Sequence, residues 1–300
     1  MNKVWELLPE ALQGQIEGLP EGERERIEEV RLRQGRPMSV SLPTGECFLA
    51  GDTVDGDALR RVLERASFFS VHTVLEQLRN GFVAVQGGHR LGLCGTGVVE
   101  DGRLVNLRSV SSISLRQARE VKGIAAKLVP QLFEEGQIKN TLILAPPGQG
   151  KTPLLRDLIR AISSGETSIP RRVGLADERG EVASVWEGSP MLDVGPRTDI
   201  MDSCPKSIGM LALLRSMSPQ VLAVDEITRE ADAEALLQAL GCGVSLLATA
   251  HGGSIADLER RHVYQRLTRE QVFERFILIQ GTGKERRYNV VKQGERKCEA

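Results

Sequence analysis

Ala145-Pro146-Pro147-Gly148-Gln149-Gly150-Lys151-Thr152 is the stretch from which the rest of the 300-residue chain is read. A short apolar run, Thr141-Leu142-Ile143-Leu144, precedes it, and a helical stretch, Leu154-Leu155-Arg156-Asp157-Leu158-Ile159-Arg160, follows. Strand, glycine-bearing turn ending in Gly-Lys-Thr, then helix is the phosphate-binding P-loop. The residue types suit that task. Backbone N–H groups from Gly148 to Thr152 can wrap a phosphate, and the start of a helix adds positive potential. In this motif Lys151 reaches the β- and γ-phosphates, and Thr152 gives its hydroxyl to Mg²⁺. Pro153 stands in the first helical turn, where its missing N–H costs the helix nothing. Pro147, Gly148, Gln149, Gly150, Lys151, Thr152 and Pro153 are therefore the expected nucleotide-binding residues, and ATP with Mg²⁺ the expected ligands. Ala145 takes the place of the motif's first glycine, which alanine can fill unless that position needs a positive φ.

Three further strand ends carry polar residues of the right kind. Val221-Leu222-Ala223-Val224 is apolar throughout, as a buried parallel strand is, and it ends in Asp225-Glu226. In open α/β sheets ligands bind outside the carboxyl ends of the strands. There Asp225 would hold Mg²⁺, directly or through water, and Glu226 would act as general base on the attacking water. A third strand, Val173-Gly174-Leu175-Ala176, ends in Asp177-Glu178-Arg179. Asp177 and Glu178 are expected to order that water or a metal-bound one. A fourth, Val244 to Thr249, ends in Ala250-His251-Gly252, and Thr249 or His251 is the expected γ-phosphate sensor. The aperiodic segment Asp193-Val194-Gly195-Pro196-Arg197-Thr198-Asp199 offers Arg197 as an arginine finger, within its own subunit or across to the next. Arg179, Arg215 and Arg229 compete for that role. His72, His89 and His262 have no comparable setting.

The chain around these motifs falls into two parts. Residues 3–19 place Trp5, Leu8, Leu12, Ile16 and Leu19 at near-helical spacing. Val30, Leu32, Met38, Val40 and Leu42 alternate around Gln34-Gly35-Arg36-Pro37, a hairpin pattern. Gly45 and Gly51-Asp52 read as turns. A helix is expected over 56–79, with Val74, Leu75 and Leu78 on its later face and Gly81 as its stop. Strands are expected at 82–85, 90–94, 103–107 and 111–116. This makes a smaller N-terminal α+β domain over 1–120, linked onward by a helix from about 117 to 135, with the linker helix assigned the bounds 121–139. From 140 strands alternate with helices, the pattern of a mainly parallel sheet with crossover helices. Expected strands are 141–145, 172–177, 220–225, 244–250 and 275–280. Expected helices are 152–164, 206–217 and 229–240, the last capped by Thr228 and stopped by Gly241. The fold class is thus α/β, a RecA-like P-loop NTPase domain over 140–292. An edge strand falls near 286–291, and the tail from 293 to 300 is read as frayed.

Composition narrows the class. With 41% hydrophobic and 26% charged residues the chain can build an ordinary core. Its net charge of −1 gives no global attraction to nucleic acid or to an anionic membrane. Five cysteines, without a C-x-x-C pair, indicate neither a zinc site nor a disulfide framework, and fit a reducing, cytoplasmic setting. No apolar run approaches the roughly 20 residues that span a bilayer, so a membrane role would go through a partner.

With these stretches on the page, the chain resembles the stage III sporulation protein AA family of P-loop ATPases from endospore-forming Firmicutes. The resemblance runs from Glu28-Glu29-Val30-Arg31-Leu32-Arg33 and Gly87-Gly88-His89-Arg90 to Asp177-Glu178-Arg179. It continues through Asp193 to Asp199, Arg215-Ser216-Met217-Ser218-Pro219, Val224-Asp225-Glu226-Ile227 and Thr249-Ala250-His251-Gly252. The Gly-Pro-Arg-Thr-Asp and Arg-Ser-Met-Ser-Pro segments carry the specificity. The family is similar to the hexameric ATPases of type II and type IV secretion and of pilus retraction. That resemblance implies an acidic box at Asp177 or Glu178, a second acidic motif at Glu226 and a histidine box at His251. It also implies a homo-oligomeric, hexameric ring in the mother-cell cytoplasm, docked to membrane-embedded sporulation channel proteins between mother cell and forespore. Family members usually carry Gly and Thr where this chain has Ala145 and Pro153.

Two other functions share the P-loop. One is a RecA-like nucleic-acid motor. Aromatics are only 4% of the chain, however, and no basic, aromatic stacking strip of the kind that grips single strands is visible. The other is a nucleotide-switched scaffold that binds ATP without hydrolysing it.

Overall fold

The computed structural model describes residues 3–66, 83–166, 169–281 and 285–294. The expected helix beyond Ala66, with Val74, Leu75, Leu78, Gly81 and His72, lies outside the described residues, as do Phe82, Cys298 and the tail from 295. The chain divides into two compact units: Met1–Arg119 with Ser184–Met191, and Glu120–Ala183 with Leu192–Ala300.

The first unit is an antiparallel sheet with helices. Its strands are β1 (Glu29–Arg33), β2 (Pro37–Leu42), β3 (Gly45–Thr53), β4 (Val83–Val85), β5 (His89–Glu100) and β6 (Arg103–Arg116), in the order β3-β2-β1-β6-β5-β4. The helices are α1 (Glu10–Glu17), α2 (Glu21–Arg24) and α3 (Gly56–Ala66). Alternation does what the sequence asks of it. Val30, Leu32, Met38 and Val40 are fully buried together with Leu12, Ile16, Leu59 and Val62, while Arg31 and Arg33 face outward. Two expectations are corrected here. Gly45 opens β3 directly after a two-residue turn at 43–44, while Gly51 lies within β3, in the irregular stretch where its pairing with β2 shifts register, a usual place for a strand glycine. The two strands expected over 103–116 are one. The pairing of β5 with β6 shifts register at Cys94/Gly95, Thr96/Gly97 and Val98/Val99, and such bulges break the alternation without ending the strand. Gly95 makes this possible, since a Cβ there would sit 1.8 Å from the Ser109 carbonyl oxygen.

The helix expected over 117–135 does not form. Residues 125–127 make one 3₁₀ turn, α4 covers only Val129–Leu132, and the chain then enters the hairpin β7 (Phe133–Glu134) and β8 (Gln137–Ile138). Glu135 and Gly136, both at positive φ, form its two-residue turn. Gly123 (φ 85°) and Pro130 stop a longer helix, one by its left-handed backbone and the other by its missing N–H.

The second unit holds the P-loop. Its seven-stranded sheet contains β9 (Thr141–Ala145), β10 (Val173–Asp177), β13 (Thr198–Asp202), β14 (Val221–Val224), β15 (Ser245–His251), β16 (Arg275–Gln280) and β17 (Arg287–Lys292). The short hairpin β11 (Val185–Trp186) and β12 (Ser189–Pro190) belongs to the first unit. The order is β13-β10-β14-β15-β9-β16-β17, parallel from β13 to β16, with β17 antiparallel at the edge. This is an α/β, RecA-like arrangement. Crossover helices are α5 (Lys151–Ser164), α6 (Lys206–Ser216) and α7 (Glu230–Gly241), followed by α8 (Ile255–Glu259) and α9 (His262–Arg269). Central strands are apolar on both faces and wholly buried: every residue of β9, β10 and β14 is buried. β13 was not expected, since its Thr-Asp-Ile-Met-Asp sequence sits on an edge and shows no apolar run. Helix α7 is capped by Arg229 rather than Thr228, and it runs through Gly241 to Cys242.

Because β9, β10, β14 and β15 are parallel, Ala145, Asp177, Asp225 and His251 emerge at one rim of the sheet.

Candidate functional site

The P-loop leaves β9 at Ala145, which is buried and is not among the residues with positive φ, so its methyl group causes no strain. Gly148 (φ 74°) and Gly150 (φ 89°) carry the left-handed backbone instead, and a nest of N–H groups forms ahead of α5. Nothing lies within 4 Å of the Cβ position of Gly148, so the loop opens outward at its tip. Pro153 has no N–H, and as a member of the loop it adds shape but no donor.

Lys151 is buried and folds back over the loop. Its Nζ donates to the carbonyl oxygens of Ala145 (3.0 Å) and Pro146 (3.1 Å) and lies 2.6 Å from Nδ1 of His251. Burial pulls the Lys151 pKa down, while Glu226 and Asp225 push it back up. An ammonium can only donate, so Nδ1 accepts and the His251 proton sits on Nε2. That atom is 2.7 Å from Glu226 Oε1. Lysine, histidine and glutamate thus form one chain across three strand ends.

A second chain runs beside it. The Thr152 hydroxyl donates to Asp225 Oδ2 at 2.8 Å, and the Thr249 hydroxyl donates to Asp225 Oδ1 at 2.7 Å. The Thr249 oxygen also accepts the Glu226 backbone N–H at 2.8 Å. Thr249, read from sequence as a phosphate sensor, instead lies fully buried beneath the two acids and brackets them. A hydroxyl and a carboxylate side by side are the hard oxygen donors that Mg²⁺ takes, so Thr152 and Asp225 fit the ion.

Sequence reasoning missed Lys206. This residue is buried at the start of α6, and its Nζ donates to the Glu226 carbonyl oxygen at 2.5 Å. The same Nζ is 3.9 Å from Glu178, whose other oxygen pairs with Arg229 at 3.2 Å. Nothing in the local pattern Cys204-Pro205-Lys206 marks it, because only the crossover connection brings it to the acids.

Two candidates take other roles. Asp177 is 1% exposed and accepts the backbone N–H groups of Glu181 (2.9 Å), Val182 (3.0 Å) and Ala183 (2.8 Å). Arg156 on α5 donates to the carbonyls of Glu181 and Val182, so the loop after β10 is clamped from both sides. Burial pushes the Asp177 carboxyl up to about 6, against the pull of those N–H groups. Its oxygens are occupied in holding a loop, so the expected ordering of water by Asp177 is corrected to a structural role; Glu178 is the acid left at the rim. Arg197 lies at the opposite end of the sheet. Its backbone N–H and guanidinium both bind Ser163, at 2.6 Å to the hydroxyl and 2.9 Å to the carbonyl oxygen. Ser163 is twelve residues along α5 from Lys151, about 18 Å at 1.5 Å per residue. Arg197 is therefore no finger within its own chain.

Comparison with known proteins is consistent with this geometry. The chain is similar to the Stage III sporulation protein AA of Bacillus subtilis (strain 168), with 42% identity over 278 residues, 92% of this chain and 90% of that protein. Among solved structures, the pilus retraction motor PilT with bound ADP matches 92% of this chain and 82% of its own at 17% identity, TM-score 0.63. The ATPase DotB of Legionella pneumophila matches 85% of this chain and 72% of its own at 15% identity, TM-score 0.57. Those two likenesses establish the fold. The family model described as Sporulation stage III, protein AA matches residues 2–296.

Proposed function

The chain belongs to the stage III sporulation protein AA family, and from that premise we propose that it is a Mg²⁺-dependent ATPase. Its hydrolysis would energise or assemble a channel complex between mother cell and forespore. The observation that carries the reading is the convergence of Lys151, Thr152, Asp225, Glu226 and His251, from three segments, into two hydrogen-bonded chains at one rim.

On this reading Gly148 to Thr152 hold the phosphates through backbone N–H groups, and Lys151 exchanges its two carbonyl partners and His251 for phosphate oxygens. Thr152 and Asp225 hold Mg²⁺, which when bound neutralises charge on the phosphates. Glu226 takes a proton from the water that attacks the γ-phosphorus, as the bond to the β-phosphate oxygen breaks. Once Lys151 leaves it, His251 is free at Nδ1 and still bound to Glu226 at Nε2, so it can report phosphate occupancy to the base. Among the described residues no helix is long and apolar enough to cross a membrane. The proposed site of work is the mother-cell cytoplasm, in a homo-oligomeric ring held to membrane-embedded sporulation channel proteins.

The test is nucleotide binding paired with phosphate release. Lys151→Ala should weaken ATP·Mg²⁺ binding at least 100-fold. Glu226→Gln should bind ATP like wild type but turn over roughly 10²–10⁴ times more slowly. A Glu226→Gln protein with undiminished turnover would remove Glu226 from the role of base.

A further inference from the structure

The first turn of α5 is short of a donor. A helix N-terminus presents its opening N–H groups to an anion, and Pro153 removes one of them. A guanidinium stands beside the gap. Residue 286 immediately precedes β17. β17 pairs with β16 through Gln280 and Arg287, and β16 runs beside β9 with Leu278 opposite Leu144. That topology brings Arg286 to the rim from which the P-loop springs. A Cβ placed on Gly150 would lie 2.8 Å from one terminal nitrogen of Arg286 and 3.1 Å from its Cζ, so the guanidinium rests on the loop at Gly150. Its Nε is buried and makes no hydrogen bond, a desolvated donor awaiting an acceptor.

We propose that Arg286 binds the phosphate chain of the nucleotide, supplying at the P-loop the donor that Pro153 cannot give. The inference rests on the P-loop reading above. Arginine suits the task because its fork of N–H groups matches phosphate oxygens in pairs, which a lysine cannot reproduce. It also gives Gly150 a second reason to be glycine. Besides the left-handed backbone, any side chain there would displace the guanidinium.

The experiment is calorimetric titration of the full chain with ATP·Mg²⁺ and, separately, with inorganic tripolyphosphate. Wild type is compared with Arg286→Ala, Arg286→Gln, Pro153→Ala and the Pro153→Ala/Arg286→Ala double variant. Each is first checked by thermal melting, and Arg286→Gln serves if the alanine variant does not fold. The expected loss is about tenfold for both ligands on removing Arg286. Pro153→Ala should then recover several-fold in the double variant and gain less in the wild type, because one donor stands in for the other. Unchanged affinity in the Arg286 variants would overturn the proposal. So would a loss confined to ATP, since that places the contact on the nucleoside. If wild type binds neither ligand, the P-loop reading itself fails, a result distinct from either of these.

Discussion

Glu226 holds a backbone conformation that few non-glycine residues adopt, with φ at 45°. Four bonds keep it there. Thr249 binds its N–H, Lys206 binds its carbonyl, and the next residue, Ile227, is tied at N–H to the Thr249 carbonyl and at C=O to the Tyr264 hydroxyl. Such strain persists only where the surroundings over-determine it. Here the result is a carboxylate aimed at His251 rather than along the strand. Asp177 is the opposite kind of acid, one whose charge is spent on backbone. Its pKa in the folded chain, about 6, lies above the ordinary value of 3.8. The folded chain therefore holds that proton more tightly than the unfolded one. Its contribution to stability is greatest below about pH 4, falls as pH rises to about 6, and is constant above. Chemical denaturation across pH 4–7 should show this downward contribution in wild type relative to Asp177→Asn. Parallel pH profiles for the two proteins would refute the assignment.

Helix α5 joins the site to the far side of its unit. One end opens on the P-loop. The other closes at Gly165, in the left-handed conformation, and at Ser163, which Arg197 binds twice. The helix interior is buried, charged residues included: Arg156 grips the loop after β10, while Asp157 accepts the Ala125 N–H and pairs with Arg160. Arg197→Ala should cost about 0.5–1.5 kcal/mol of stability, the worth of a hydrogen bond, and leave ATP affinity within about twofold. Urea unfolding and nucleotide titration check both. A fall in turnover of roughly 10³-fold with binding intact would instead mark Arg197 as a finger reaching another subunit.

At the scale of the whole molecule, the proposal of a ring makes a plain demand on mass. Light scattering with and without ATP·Mg²⁺ should show a defined multiple of the 32.9 kDa chain, at least with nucleotide present. A monomer under all conditions, together with measured phosphate release, would leave an ATPase but no ring. The single-strand motor is tested by the same preparation: salt-sensitive binding of single-stranded DNA that speeds hydrolysis would favour it.

Much of the P-loop rim was legible in the chain because its cues are local. The apolar runs at 141–145 and 221–224, the glycines of the loop, and acids or a histidine just past a strand all sit within a few residues of one another. A parallel sheet then forces their carboxyl ends to a common edge. Legibility failed where the decisive contact is remote in sequence. Nothing near Lys206 announces that it will reach Glu226. Nothing in Asp193 to Asp199 says that Arg197 will close the wrong end of α5. The 117–135 stretch is a different case, since the cues that break its helix, Gly123 and Pro130, are local. The sequence alone determined the fold class and the strand ends that share the rim, with Lys151, Thr152, Asp225, Glu226 and His251 on them, since backbone geometry and burial dictate those. Only the tertiary structure decided which acid faces the rim and which holds a loop, and which arginine rests on the P-loop at Gly150. Such roles depend on what packs against a side chain, and a single chain of letters does not carry that.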